Sequence, residues 1–424
     1  MHLFINGLAA TVGGGLTYLR NVIPHLSNRT ELQTTIAINP QLAREFVDLP
    51  SISMLTVECP RGMVRRFWHE QRILPPMIRK CRGDILLSTG NIALRKSPVP
   101  QILLSRNALY TSDNFRRDLR CRGDHRLWAE TCVKAQLAKR SIKCADCTIA
   151  PTQAFAEELC KWTGRNVISI HHGFDGERFF RDDDLPEDLR HKLDSHRDAL
   201  RLLFVSHYNY YRNFETLLQA LPQLNERLGG RRAVLFLTCR LQPGLRDDTY
   251  STDHARRLIQ RLGVCNQIVE LGTVPYHLLH HVYRSCDVYV TPAYAESFAH
   301  PLVEAMASGV PVVASDIRVH REICGAAAIY FHPFSHRELA SRLADLADSD
   351  EDQRQLAGSG RKRSLDFSWE GSPNGSCQTI CPVTQQYPKL LVIAVSVAQG
   401  RGCRCTSCNL HLVESWIPAP RFGC

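Results

Sequence analysis

The sequence predicts an α/β protein built as two doubly wound domains that face each other across a cleft. Three observations predict it. Short apolar runs recur along most of the chain with helix-compatible segments between them, the pattern of a mainly parallel sheet. A strongly polar stretch at 175–200, rich in Arg, His and Asp, separates one such series from a second that begins cleanly at 201. The 424 residues are enough for two ordinary domains, each with a buried core. The expected division is a first domain over 1–175, a linker at 176–200, a second domain over 201–370 and a distinct tail at 371–424.

The first series opens with a strand at 2–6, a triple glycine at 13–15 and an amphipathic helix with Leu16, Leu19, Val22, Ile23 and Leu26 on one face. Strand, glycine loop and helix in that order let backbone approach a phosphate or sugar closely. Gly14 and Gly15 are therefore candidate ligand contacts, with a plain tight turn as the alternative. Further strands are predicted at 35–39, 53–57, 85–88, 101–105, 147–150 and 167–170.

In the second series strands are predicted at 201–205, 233–237, 268–271, 287–290, 312–314 and 328–331. The most informative stretch is 287–316, DVYVTPAYAESFAHPLVEAMASGVPVVASD: a buried strand, a polar loop, a short helix and a second buried strand. Proline belongs at the first helical position and glycine just past the last, so Pro301 and Gly309 bracket a helix over 301–308. Glu304 then falls in its first turn, and Glu296 in the loop ahead. Ligands of open parallel sheets collect where strands end and helices begin, and a helix N-terminus attracts anions. Two carboxylates beside such a site imply a phosphorylated ligand whose hydroxyls need acceptors.

Composition (44% hydrophobic, 22% charged) is that of a soluble globular protein. The formal charge is +10, and basic runs lie mainly in the first half: Arg65, Arg66, Arg79, Lys80 and Arg82; Arg116, Arg117, Arg120 and Arg122; Lys139, Arg140 and Lys143. No basic repeat interleaved with aromatics and no nucleic-acid motif accompanies them, so nucleic acid is not an expected partner. A solvated surface is the plain reading, and docking to a membrane surface or an anionic acceptor is the alternative. The opening MHLFINGLAA reads as a strand rather than a signal peptide, and no apolar stretch reaches the ~20 residues of a membrane helix. The expectation is a cytoplasmic chain, with peripheral contact at the inner face of a membrane left open.

Of 17 cysteines, those through Cys324 are scattered singly and are expected as buried free thiols. After Trp369 the character changes. A breaker cluster at 370–376 precedes six cysteines with little helical periodicity, the mark of a disordered or poorly packed tail, or of one encoded out of frame. Cys403, Cys405, Cys408 and His411 match no standard zinc spacing, and no Asp-x-Asp follows an apolar strand, so neither metal nor cofactor is expected.

The stretch ESFAHPLVE at 296–304 resembles the E-x7-E signature of the retaining nucleotide-sugar glycosyltransferases of family 4, and AMASGVPVVAS at 305–315 resembles the segment that follows it. Supporting pieces come in the family's order: the glycines at 13–15, ADCTIAPT at 145–152, HGFD at 172–175, FVSHYNYYRN at 204–213 and Leu271-Gly272. The resemblance covers roughly residues 1–370 and implies the GT-B fold of two Rossmann-like domains. It implies that Glu304 holds the ribose hydroxyls and that Glu296 orients the transferred sugar. Around the diphosphate, where the family has Gly-Arg and then Lys, this chain has Ser206-His207 and Arg212. Arg212 can replace Lys, offering fixed charge and a bidentate fork. Ser297, Phe298 and Ala299 follow Glu296, with Ala299 standing where the family has glycine. Asn107, after the strand at 101–105, would face the sugar, with Arg106 as the alternative.

The function the resemblance implies is transfer of a sugar from a nucleotide-sugar donor to a hydroxyl of a glycan or lipid-linked acceptor, with retention and without metal, in bacterial glycan or polysaccharide synthesis. A nucleotide-sugar epimerase and an inactive nucleotide-sugar-binding relative are the alternatives. The second is motivated by the breaker cluster, which interrupts the segment that in this fold returns as a helix onto the first domain.

Overall fold

The computed structural model describes residues 1–10, 14–27, 32–46, 49, 52–60, 62–181, 183–241, 246–247 and 250–367. The tail, with its six cysteines, lies outside the described residues. The first domain holds strands β1 (His2–Asn6), β2 (Gln33–Ile38), β3 (Ile52–Thr56), β4 (Ile85–Ser88), β5 (Gln101–Leu104), β6 (Cys147–Ala150) and β7 (Ile168–Ser169). They form one seven-stranded parallel sheet in the order β3-β2-β1-β4-β5-β6-β7. β1, β4, β5 and β6 are buried along their whole length because helices cover both faces, which explains why they read as apolar runs rather than alternating ones.

The second domain repeats the plan with β8 (Leu200–Phe204), β9 (Ala233–Leu237), a two-residue hairpin β10 (Arg246–Asp247) and β11 (Tyr250–Ser251), then β12 (Ile268–Glu270), β13 (Val288–Thr291), β14 (Val312–Ser315) and β15 (Ile329–Phe331). Its six-stranded parallel sheet runs β12-β9-β8-β13-β14-β15, the doubly wound order of dinucleotide-binding folds. The two sheets with their helices make the α/β architecture expected from the sequence, and the hairpin is an addition it did not announce.

The stretch at 175–200 is more than a polar connection. Phe179 is buried in it beside Phe174, and Leu189 and Leu193 are buried because the short helix Glu187–Asp194 turns its two leucines inward and its charges outward. First-domain helices also reach across. Phe115 and Leu119 on the helix Asp113–Cys121, and Leu127 on the helix His125–Cys144, sit in the apolar core of the second domain with Leu202, Phe214 and Tyr294.

Several polar contacts join the domains, two of them networks built around carboxylates. Arg122 pairs with Glu215 of the second domain at 2.9 Å and with Asp118 at 2.7 Å, its guanidinium over the Tyr210 ring. Tyr294 donates its hydroxyl proton to Asp118 (2.7 Å) and Tyr208 to Glu215 (3.0 Å). In the second tie, Glu322 of the helix Arg318–Cys324 accepts from the backbone N–H groups of Gln153 and Ala154, both at 2.7 Å, at the start of the first-domain helix Gln153–Thr163. His171 donates to the same carboxylate at 2.7 Å. Burial alone would raise Glu322, but the bonds from His171 and the two amides outweigh it and hold the carboxyl below its usual range.

All eleven cysteines through Cys324 are free. Cys147, Cys239, Cys286 and Cys324 are buried as expected, whereas Cys121, Cys144 and Cys265 are exposed, because they lie at or just before helix ends that face solvent.

Candidate active site

Strand order in the second sheet reverses between β8 and β13, so their carboxyl ends open side by side and the loops after them, 205–213 and 292–299, line one crevice. Asn213 fastens these loops. It sits in the left-handed region (φ +57°), which asparagine tolerates, and its amide donates to the carbonyls of Pro292 (3.1 Å) and Pro333 (2.6 Å). Directly before it, Arg212 forms an ion pair with Glu296 and lies 5.1 Å from the Tyr211 ring centroid. The two residues the sequence singled out for opposite ends of the reacting bond thus meet.

The helix beyond Glu296 runs His300–Ser308 and ends on Gly309 at φ +72°. It begins one residue earlier than Pro301 would set, because Ala299 takes the capping position in the left-handed region at φ +67°. Glu304 consequently lies in the second turn, not the first. It is only 6% exposed, and its Oε2 accepts from the Tyr283 hydroxyl at 3.0 Å; the same hydroxyl lies 3.2 Å from the carbonyl of Pro301. Burial pushes the Glu304 carboxyl up to about 7, with the Tyr283 bond pulling modestly the other way.

Other expected contacts are already engaged. Ser297 donates its hydroxyl proton to the Arg106 carbonyl (2.8 Å), and its own carbonyl accepts from the Thr152 hydroxyl (3.0 Å), so it ties the domains together. Phe298 is buried at the centre of a ring cluster, 5.3 Å from His172, 4.8 Å from His300 and 5.8 Å from Phe367. Asn107 caps the turn Ala108–Tyr110 by accepting from Leu109 N–H, which commits its carbonyl oxygen locally. Ser206 donates from its backbone to the Thr238 hydroxyl (3.0 Å) and from its side chain to the His207 carbonyl (2.7 Å), and His207 itself is exposed. Gly14 and Gly15 open the helix Gly14–Ser27; residues 11–13 of the glycine loop lie outside the described residues.

Around Phe298 a set of basic groups gathers from both domains. Arg106 lies over Tyr18, a helical turn beyond Gly14, and donates to the Thr89 carbonyl at 2.6 Å. His172 and His300 stack almost parallel, 5.5 Å apart. Burial, then the neighbouring positive groups, hold His172 well below its ordinary value, and burial with Arg106 brings His300 to about 4. Both rings are neutral near pH 7, so they can offer hydrogen bonds without adding charge. His172 Nδ1 is buried and has no hydrogen-bond partner among the described residues.

Sequence reasoning passed over Tyr283, His300 and Glu322. Tyr283 and Glu322 sit in helical segments where a tyrosine reads as core and a glutamate as surface, so only the fold reveals their partners. His300 stood inside the signature and could have been singled out.

Residues 187–363 match the family model of glycosyl transferases group 1. A D-inositol 3-phosphate glycosyltransferase of Catenulispora acidiphila is 32% identical over 182 residues, 42% of this chain and 41% of that protein. An MMP alpha-(1->4)-mannosyltransferase of Mycolicibacterium hassiacum is 34% identical over 118 residues, 27% of this chain and 29% of that protein. The chain therefore spans less than half the length of these relatives. Among solved structures, sucrose-phosphate synthase from Thermosynechococcus elongatus superposes with a TM-score of 0.71 at 16% identity, over 93% of this chain and 99% of that one. The Anabaena protein HepE in complex with UDP-glucose gives 0.65 at 17%, over 92% and 99%. Nothing among these favours an epimerase. With strand order and superposition in agreement, the chain has the two-domain GT-B fold, and its residues 187–363 are similar to the glycosyl transferases of group 1.

Proposed function

We propose that this chain transfers a sugar from a nucleotide-sugar donor to a hydroxyl of a glycan or lipid-linked acceptor, with retention of anomeric configuration. The observation that carries the reading is the Arg212–Glu296 pair at the switch point of the second sheet, with Glu304 on the helix that follows. Glu304, as carboxylate, accepts the ribose hydroxyls. Donor binding draws Arg212 away from Glu296 towards the diphosphate, where its fixed charge meets the negative charge that grows as the bond to the anomeric carbon breaks. Glu296, released, orients the transferred sugar. Backbone N–H groups at Ala299 and the helix start, and at Gly14 and Gly15, are further donors for phosphate and sugar oxygens. The scheme draws on no metal, and the leaving phosphate takes the acceptor proton.

The same reading keeps the chain cytoplasmic and peripheral to a membrane. Among the described residues no helix is long and apolar enough to cross one. Support for surface contact comes from the helix Met63–Lys80, which exposes Val64 (46%) and Trp68 (52%) beside the exposed Arg65, Arg72, Arg79 and Lys80.

Purified full-length chain incubated with UDP- and GDP-sugars should release nucleotide, and Glu304→Ala and Glu296→Ala should each lose that release. Turnover equal to wild type in both variants sinks the assignment.

A further inference from the structure

The domains also meet through two imidazoles whose rings the transfer scheme does not use. His172 follows β7 in the first domain and His300 opens the helix His300–Ser308 in the second, and their rings lie 6° from parallel with centroids 5.5 Å apart. His172 is buried. Aromatic rings close around the pair from both sides: Phe298 of the second domain touches both, and Tyr18 of the first lies 5.3 Å from His172.

Charge around this stack has one sign. Arg106, over the Tyr18 ring, acts on both imidazoles, and His171 acts on His172. Tyr18 is held neutral by burial. Among the described residues no carboxylate acts on either ring. Glu322 is engaged by His171 and by the amides of Gln153 and Ala154, and Asp366, beside Phe367, pairs with Arg363 at 2.9 Å.

A charged ring meets two further obstacles here. An imidazolium carries a proton on each nitrogen, and Nδ1 of His172 has no hydrogen-bond partner among the described residues to receive one. Placing charge in an apolar cluster also forfeits hydration that only an opened interface restores. Neutral rings stack there without either cost.

We propose that the His172–His300 stack is an acid-sensitive catch between the domains: with both rings neutral the domains stay together, and a proton on either ring parts them and opens the crevice. The device belongs to the interface and does not depend on what the crevice binds. In the closed form both rings titrate below their ordinary 6.5, His300 at about 4, and parting the domains returns them to ordinary values. Closure is therefore full above 6.5 and is lost as pH falls. Each ring raises the ratio of open to closed chains by up to ~10-fold per pH unit across that window. The Glu322 carboxyl, held below its usual range, stays charged through the upper part of the window, so its contacts are not what release there.

The test is small-angle X-ray scattering from the full chain at pH 7.5, 6.0 and 5.0 without nucleotide, with far-UV circular dichroism on the same samples. The radius of gyration should grow as pH falls, recover on return to pH 7.5, and leave the dichroism unchanged. The double variant His172→Phe with His300→Leu should keep its pH 7.5 radius throughout. His300→Leu alone, with one titrating ring left, should open less steeply, and it decides by itself if the double variant does not fold. The inference is overturned if wild type keeps its radius down to pH 5.0, if expansion comes with loss of helix signal, or if the variants expand as steeply as wild type.

Discussion

Arg212 and Glu296 pair across the point where the second sheet reverses its strand order, each largely shielded from solvent. On the proposed assignment, the pair holds both groups mutually neutralised until a diphosphate competes for the cation. Arg212→Ala should therefore weaken UDP binding ~10- to 100-fold and lower transfer alike. Glu296→Gln should bind UDP at least as tightly as wild type, because Arg212 is no longer neutralised, while turnover falls. Calorimetric titration with UDP alongside transfer assays checks both, and weaker UDP binding by Glu296→Gln would falsify the competition.

Glu304 should give the chain a distinctive pH response. Its carboxyl holds a proton up to about pH 7 in the fold but only to about 4.5 when unfolded. The folded state binds the extra proton between those values. Stability on this account is full below 4.5, declines as pH rises, and is lost above 7, a total of about 3 kcal/mol. His172 and His300, depressed by burial, act oppositely and lose stability as pH falls below their ordinary 6.5. The difference between wild type and Glu304→Gln in melting temperature from pH 5 to 8 isolates the first effect, with the gap growing in favour of the variant towards alkaline pH. UDP affinity should meanwhile rise through pH 7, and Tyr283→Phe, which removes a bond favouring the carboxylate, should shift that rise upward.

At Ala299 a β-carbon sits on backbone at φ +67°, a conformation that costs a non-glycine residue of the L series on the order of 1 kcal/mol. Ala299→Gly should stabilise the chain by about 0.5–1 kcal/mol after the extra freedom of glycine in the unfolded state is counted. Urea unfolding measures it, and an unchanged or lowered midpoint counts against strain there.

The Arg122–Glu215 contact should couple the two domains. Arg122→Met strands two carboxylates in a partly buried network and should cost about 3 kcal/mol. Adding Glu215→Met should cost less than the sum of the single changes, by about 1 kcal/mol or more. Strict additivity in a double-mutant cycle would show the pair to be incidental.

On the helix Met63–Lys80, Trp68→Ser should reduce co-sedimentation with vesicles containing phosphatidylglycerol, and the pair Arg65→Ser with Arg72→Ser should reduce it roughly fivefold per charge removed. Equal sedimentation of wild type with pure phosphatidylcholine vesicles argues against an electrostatic contact.

Much of the architecture was legible because its strands are short buried runs with a polar gap between two series, and burial on both faces leaves an unbroken apolar signature. The ends of β4, β6 and β9 agree to the residue with the sequence reading. That Glu296 lies in a loop and Glu304 on the helix after it was legible because the Pro-to-Gly pattern is local, although the helix starts one residue early and carries Glu304 into its second turn. What a single sequence could not show is which side chain spends its hydrogen bonds elsewhere. Ser297 and Asn107 look like ligand contacts by position, yet one bonds the other domain and one caps its own turn. The inward turn of Phe115 and Leu119 into the second domain's core was hidden for the same reason: an amphipathic helix declares that it has a buried face, never against what.

The pairing of β8 with β13 has a consequence for synthesis. Arg212 follows the first of these strands and Glu296 the second, with the helices and strands of 214–287 between them. A nascent chain that has emerged only through β12 possesses Arg212, the proposed diphosphate contact, without Glu296, its partner in the folded chain. On the proposed assignment, nucleotide recognition waits until the late strand inserts beside the early one, so binding competence would arrive as a single delayed event in folding, governed by a long loop closure. Release of truncated chains short of residue 304 would yield species without affinity for the donor rather than partial binders.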